Sequence, residues 1–298
     1  MSTLKMKRKD FLKLITAATT MSTLSSFQAL NDTLSEQDER SPLLFIGHGS
    51  PMNGIEDNEF SQRWQQMGKE IPKPKAVLCI SAHWLTRGTH ITAMQKPRTI
   101  HDFGGFPKDL FDVQYPAPGN PELAQTTADL IHKTPVVLDH DWGLDHGTWT
   151  VVRHMYPDAD IPVLQLSIDF HQPPQYHYDL AKELAALRKK GVLIIGSGNM
   201  VHNLRMVAWD KMDKPEFGFD WANEMNNTFK KLILDDNHKP LINYEDFGTI
   251  GKLAIPTPDH YYPLLYVLGL KEKNEMVSFF NDKAVMGSLT MTSVRIGG

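Results

Sequence analysis

Leu43-Leu-Phe-Ile-Gly-His48-Gly-Ser-Pro51 is a short apolar run that stops on a histidine between two glycines. A continuous apolar run of that length, bounded by turn residues, is the pattern of a strand buried on both faces of a sheet. The same design recurs in Val77-Leu-Cys-Ile-Ser-Ala-His83-Trp84 and in Leu193-Ile-Ile-Gly-Ser-Gly-Asn-Met-Val-His202-Asn203. Working outward, strands are expected over 43–46, 76–81, 135–138, 162–168, 192–196 and 286–296. Amphipathic helices are expected over 59–69, 121–132, 175–190, 220–236 and 261–268. Alternation of this kind predicts an α/β sandwich around a largely parallel, mixed central sheet. Ligands of open α/β sheets bind beyond the carboxyl ends of the strands, so the residues directly after the strands decide the chemistry.

Those residues are His48, His83 and His202, three imidazoles brought to one rim. Any one of them alone reads more readily as a structural histidine with both nitrogens satisfied, but three at equivalent positions point to a metal site, since neutral imidazole is a common ligand for zinc and iron. His260, in Ile255-Pro-Thr-Pro-Asp-His260, is a fourth candidate. Asp259 beside it either orients that ring, is itself a ligand, or caps the helix that follows. His146, in Leu144-Asp-His-Gly-Thr-Trp149, is a fifth. It stands in a turn whose glycine is expected to let the backbone approach something closely, and it can carry a proton or merely cap the helix that follows. The Gly-, Pro- and aromatic-rich segment 96–118 is too long to be an idle connection in a folded domain and is expected to wall the site. Phe103, Phe106, Trp84 and Trp149 either stack on an aromatic ligand or pack the core. His90, His132, His140, His154, His171, His177 and His238 lack comparable context and read as surface or core residues.

Five motifs in order, Gly47-His-Gly-Ser-Pro51, Ser81-Ala-His-Trp84, Asp145-His-Gly-Thr-Trp149, Gly196-Ser-Gly-Asn-Met-Val-His-Asn203 and Pro256-Thr-Pro-Asp-His-Tyr261, together resemble the class III extradiol ring-cleavage dioxygenases. Within that class they resemble the bacterial 4,5-DOPA dioxygenase extradiol subgroup, over residues 42–298. The resemblance implies His48, His83 and His260 as metal ligands, His202 as a further ligand or an acid/base, and His146 as a substrate-facing proton carrier. It implies one divalent metal, Fe(II) for dioxygenase activity with Zn(II) as another ion the site can hold, and a small-molecule catechol and dioxygen as reactants. Many non-haem iron oxygenases use two histidines and a carboxylate, whereas the third position here is His260 with Asp259 only adjacent. A zinc-dependent hydrolase and a noncatalytic binding protein on the same scaffold are the rival readings.

The rest of the composition narrows the partners. With 298 residues, 41% of them hydrophobic, the chain is long enough for one large core, expected as a single catalytic domain over 41–298. A net charge of −4 gives no general attraction to nucleic acid. The single cysteine, Cys79, lies in an apolar run and reads as a buried inert thiol. Lys5, Lys7, Arg8 and Lys9 precede a weakly apolar stretch, so residues 1–40 read as a twin-arginine-like leader with Lys9 in place of the second arginine. That predicts a periplasmic or exported protein, the alternative being a cytoplasmic one with an unstructured tail. No segment reaches the roughly 18 apolar residues of a membrane span. Nothing in the sequence sets the oligomeric state.

Overall fold

The strands run in chain order as β1 (Leu43–Gly47), β2 (Ala76–Thr86), β3 (Thr89–Thr92), β4 (Val136–Asp139), β5 (Val163–Asp169), β6 (Val192–Gly198), β7 (Val277–Phe280), β8 (Ala284–Val285), β9 (Leu289–Thr290) and β10 (Ser293–Ile296). This computed structural model describes Leu34 and residues 39–298, so the leader expected over 1–40 lies almost wholly outside the described residues. Eight strands form one sheet in the order β4-β3-β5-β2-β6-β1-β10-β7, and β8 pairs with β9 separately. The centre is parallel, with β2 paired to β5 and β6, and β6 to β1. Antiparallel pairing enters at β1 with β10, at β10 with β7 and at β3 with β5. This is the expected mixed, largely parallel sheet.

The central strands read as continuous apolar runs because the sheet is covered on both faces. Leu43, Phe45, Leu78, Ile80 and Ile194 enter one core; Leu44, Ile46, Val77, Cys79, Leu193 and Ile195 enter the other. That is the period of two of a pleated strand, with each buried aliphatic side chain contributing about 1.5–3 kcal/mol relative to exposure. The first core is closed by helices Pro121–Leu130, Pro174–Lys182, Asp220–Leu234 and Tyr262–Leu270, the second by Glu59–Glu70 and His146–Met155. Tyr262–Leu270 is apolar all round, and every one of its residues is buried, as expected of a helix enclosed on all sides.

Three segments depart from the sequence reading. The helix expected over 175–190 is two helices, Pro174–Lys182 and Ala185–Lys189. The strand expected over 286–296 is broken, because Met286 (φ 51°) and Gly287 (φ 86°) are left-handed and turn the chain before β9 and β10. The stretch after Asp145, read as a turn, is a full helix.

Two local features set the strand ends for function. Between Ile80 and Leu85 the register of β2 against β5 shifts, β2 advancing five residues while β5 advances two, from Leu166 to Ile168. Such irregularities re-aim side chains, and this one carries His83. At the end of β6 a Cβ on Gly198 would lie 2.1 Å from the carbonyl oxygen of His260. Glycine there lets the His260 backbone close onto the strand, where His260 O accepts from Asn199 N at 3.0 Å.

Candidate active site

His48 follows β1, His83 projects from the irregular end of β2, His202 lies four residues beyond β6, and His146 opens its helix. His260 is brought in by its contact with β6. The five rings form one cluster: His48 lies 5.0 Å from His83, 5.5 Å from His146 and 5.3 Å from His260 between ring centroids. His83 lies 3.8 Å from His146 and 4.9 Å from His260. His202 stacks on His260 at 3.6 Å with 8° between planes. Every histidine singled out in the sequence is therefore in one place. The expected close approach at Gly147 is also present, since a Cβ there would meet Ser81 Oγ at 2.5 Å and His83 Cδ2 at 2.9 Å.

Hydrogen bonding reveals which nitrogens are free. Ser197 Oγ donates its one proton to Gly147 O, so it can only accept from His48 Nδ1, 3.0 Å away. His83 Nδ1 lies 3.3 Å from Asp102 Oδ2. His260 Nδ1 lies 2.5 Å from Asp259 Oδ2. Asp259 thus orients the His260 ring, and the helix that follows starts at Tyr262 without a side-chain cap. The partners of His48 and His260 place their protons on Nδ1 and leave Nε2 as a bare acceptor, while the Asp102 charge near His83 Nδ1 favours the same form there. His48 Nε2 and His83 Nε2 stand only 3.1 Å apart. At that separation the two nitrogens share either a proton on His83 Nε2 or a cation between them. Two imidazole nitrogens sharing one ion, each at roughly 2.0–2.1 Å, stand at about this spacing. The donor set fits a metal ion, with the outer partners that metal-binding histidines ordinarily have.

Two triplets of donor atoms each lie within 4.8 Å of one another, His48 with His83 and His146, and His202 with Asp259 and His260. The triplets meet through the His48, His83 and His260 rings. His146 differs from His260 in its surroundings. His260 meets the rings of His48, His83 and His202, whereas His146 also touches Phe103 edge-on at 5.5 Å. His146 therefore lies between the cluster and the loop 96–118, which walls the site as expected. Of the four aromatics, Phe103 and Phe106 stand on that loop, 5.5 Å apart. Trp149 is fully buried with Nε1 donating to Ile100 O, and Trp84 stacks on Trp142 at 5.6 Å; both tryptophans pack the core.

Beneath the rings lies a buried carboxylate. Asp145 accepts from Ser81 Oγ and Gln165 Nε2, both at 2.7 Å, and from Thr148 N at 3.1 Å, capping the His146 helix. Burial and then the nearby charge of Asp102 raise its pKa above the usual carboxylate value. Sequence reasoning missed Asp102, Ser197 and Gln165 as parts of the site. Ser197 was within reach of it, because it stands at the end of β6 opposite Ser81 of β2 and Ile46 of β1.

The cluster strongly favours uncharged rings. Burial first, then the neighbouring imidazoles, push His48 and His260 well below the ordinary value of 6.5. Burial and His146 bring His83 to about 3, against the pull of Asp102; burial brings His202 to about 4. Above pH 6.5 these rings are neutral folded or unfolded, so the preference has no effect on stability. As pH falls below 6.5 the unfolded chain gains protons that the folded one refuses. Stability then drops by on the order of 1.4 kcal/mol per pH unit for each ring, until the folded values are reached. The metal-free protein should show a melting temperature that falls steeply from pH 6.5 toward pH 4.5. A flat profile across that window would contradict a neutral cluster.

The model of the catalytic LigB subunit of aromatic ring-opening dioxygenase matches residues 41–295. A 4,5-DOPA dioxygenase extradiol of Escherichia coli K12 is 49% identical over 262 residues, covering 87% of this chain and 95% of that protein. A 4,5-DOPA dioxygenase extradiol of Beta vulgaris is 36% identical over 273 residues, covering 87% of this chain and all of that one. The crystal structure of an uncharacterized Escherichia coli K12 protein superposes with a TM-score of 0.74 at 44% identity, over 87% of this chain and 100% of that chain.

Proposed function

Because the chain belongs to the LigB family of aromatic ring-opening dioxygenases, we propose that it opens the ring of a DOPA-like catechol, with Fe(II) held by His48, His83 and His260. Extradiol ring cleavage with dioxygen is its activity; the catechol, the metal and the residue roles are our reading. The observation that carries it is the convergence of the His48 and His83 Nε2 atoms, 3.1 Å apart, with the His260 ring about 5 Å from both rings. The DOPA-like substrate rests on the names of the relatives.

When bound, ferrous iron would supply the redox chemistry with dioxygen and acidify a catechol hydroxyl, which zinc, having no redox chemistry, would do only in part. The chain's own residues do the remaining work. His48, His83 and His260 present neutral nitrogens from one side and leave the loop side open. Phe103 offers an aromatic edge there for the substrate ring. His146, with Nδ1 on Asp102 at 2.9 Å, keeps Nε2 available to accept a hydroxyl proton and return it to the product. His202 lies behind His260 as a further donor or a second proton acceptor. No helix among the described residues is long and apolar enough to cross a membrane, and export by the twin-arginine-like leader remains part of this proposal.

The test is oxygen uptake by anaerobically iron-loaded protein given L-DOPA and a panel of catechols, with the yellow ring-opened product followed by absorbance. Uptake matched to colour, and absent with zinc, is expected. Bound iron with no uptake across the panel, together with ester or amide hydrolysis by the zinc form, would replace this reading with a hydrolase.

A further inference from the structure

We propose that Asp102 is a positioning residue whose carboxylate fixes which ring nitrogen of both His83 and His146 carries the proton. The proposal rests on the functional reading above and deepens it. One oxygen, Oδ2, lies 2.9 Å from His146 Nδ1 and 3.3 Å from His83 Nδ1. The other, Oδ1, accepts the backbone N–H of His146 at 2.9 Å. That N–H is in the first turn of its helix and has no partner within it. The carboxylate is therefore held at both oxygens and cannot rotate away from His146 without abandoning a bond.

The loop delivering it is fixed just ahead of Asp102. Ile100 N donates to Leu144 O at 2.7 Å, and Trp149 Nε1 donates to Ile100 O at 2.9 Å. His101 Nε2 lies 3.0 Å from Val113 O. Phe103, the next residue, meets His146 edge-on. The Asp102 side chain is only 18% exposed, so its bond to the His146 ring and its charge beside His83 face little competition from water. A carboxylate can only accept, so His146 Nδ1 must donate and its Nε2 is left bare, while the same negative charge 3.3 Å from His83 Nδ1 favours the proton on that nitrogen too. His146 Nε2 is thereby made a proton acceptor, and His83 Nε2 is favoured as a ligand atom by the charge of the same side chain on the substrate-walling loop. A neutral imidazole without this partner populates both tautomers, and in one of them Nε2 carries the proton and can do neither task.

The tautomers are read directly by two-bond proton–nitrogen correlation spectra of the full-length chain, labelled with nitrogen-15 histidine and loaded with diamagnetic zinc. His146 is expected as the Nδ1–H tautomer in the wild type, with the Nε2–H form appearing in Asp102→Asn. Iron-loaded Asp102→Asn is expected to lose ten- to a hundredfold in kcat, the usual scale for an outer partner of a metal-site histidine, with KM for the catechol within about threefold. Asp102→Glu should recover part of the Nδ1–H signal. A wild-type spectrum showing His146 as Nε2–H overturns the proposal even if no variant folds. So does an Asp102→Asn protein with unchanged tautomers and unchanged kcat. If the wild type opens no catechol, the functional reading fails, while the tautomer spectra still decide the role of Asp102.

Discussion

His48→Ala is expected to empty the metal site and abolish ring opening. The ring is buried, 1% exposed, and its Nδ1 is spoken for by Ser197. Alanine therefore removes one ligand atom that nothing nearby can replace. Binding of structural zinc by four ligands amounts to roughly 10–16 kcal/mol, so one ligand corresponds to on the order of 3 kcal/mol and a loss of a hundredfold or more in affinity. It also removes the partner that stands 3.1 Å from His83 Nε2, so the remaining donors no longer converge on a shared point. The measurement is metal content after dialysis against a weak chelator, alongside oxygen uptake and a circular dichroism spectrum. A folded His48→Ala protein that kept a full equivalent of iron and its turnover would remove His48 from the site.

How much of this could be read in advance follows from what each residue depends on. The central strands were legible because a strand covered on both faces must be apolar at every position, as Leu43 to Ile46 and Val192 to Ile195 are. His48, His83 and His202 were legible for the same reason: they interrupt those runs where the sheet presents its carboxyl ends. Strands β3 and β7, next to one edge of the sheet and at the other, escaped, being short and partly polar. The His146 helix escaped because Thr148, Trp149, Thr150, Val151 and Val152 are weak helix formers. It forms through the Asp145 cap and the burial of Trp149, Val151 and Val152, which are tertiary facts. Asp102 was hidden most deeply. It follows no strand and belongs to no period, and its place is set by bonds of Ile100 and His101 to residues distant in sequence. A rule that looks at strand ends finds ligands but not the loop residues that orient them.

His146→Ala should separate proton transfer from metal holding, and it is the more discriminating of the single-histidine variants. The donor atoms of His146 and of the His48 and His83 rings lie within 4.8 Å of one another, so proximity alone would allow His146 as a ligand. Its surroundings argue otherwise. It is the ring that meets Phe103 of the loop, and it shares Asp102 with His83, which places it between the metal donors and the substrate wall. The variant is therefore expected to retain iron while kcat falls by roughly a hundredfold to ten-thousandfold, the range for removal of a positioned acid/base. Loss of iron from His146→Ala would instead make His146 a ligand and free His260 or His202 for the proton. Unchanged turnover with iron in place would pass the proton to His202, the remaining ring without a ligand role assigned. In that event His202→Ala, whose stacking partner His260 stays tied to Asp259, should show the loss of kcat that His146→Ala did not.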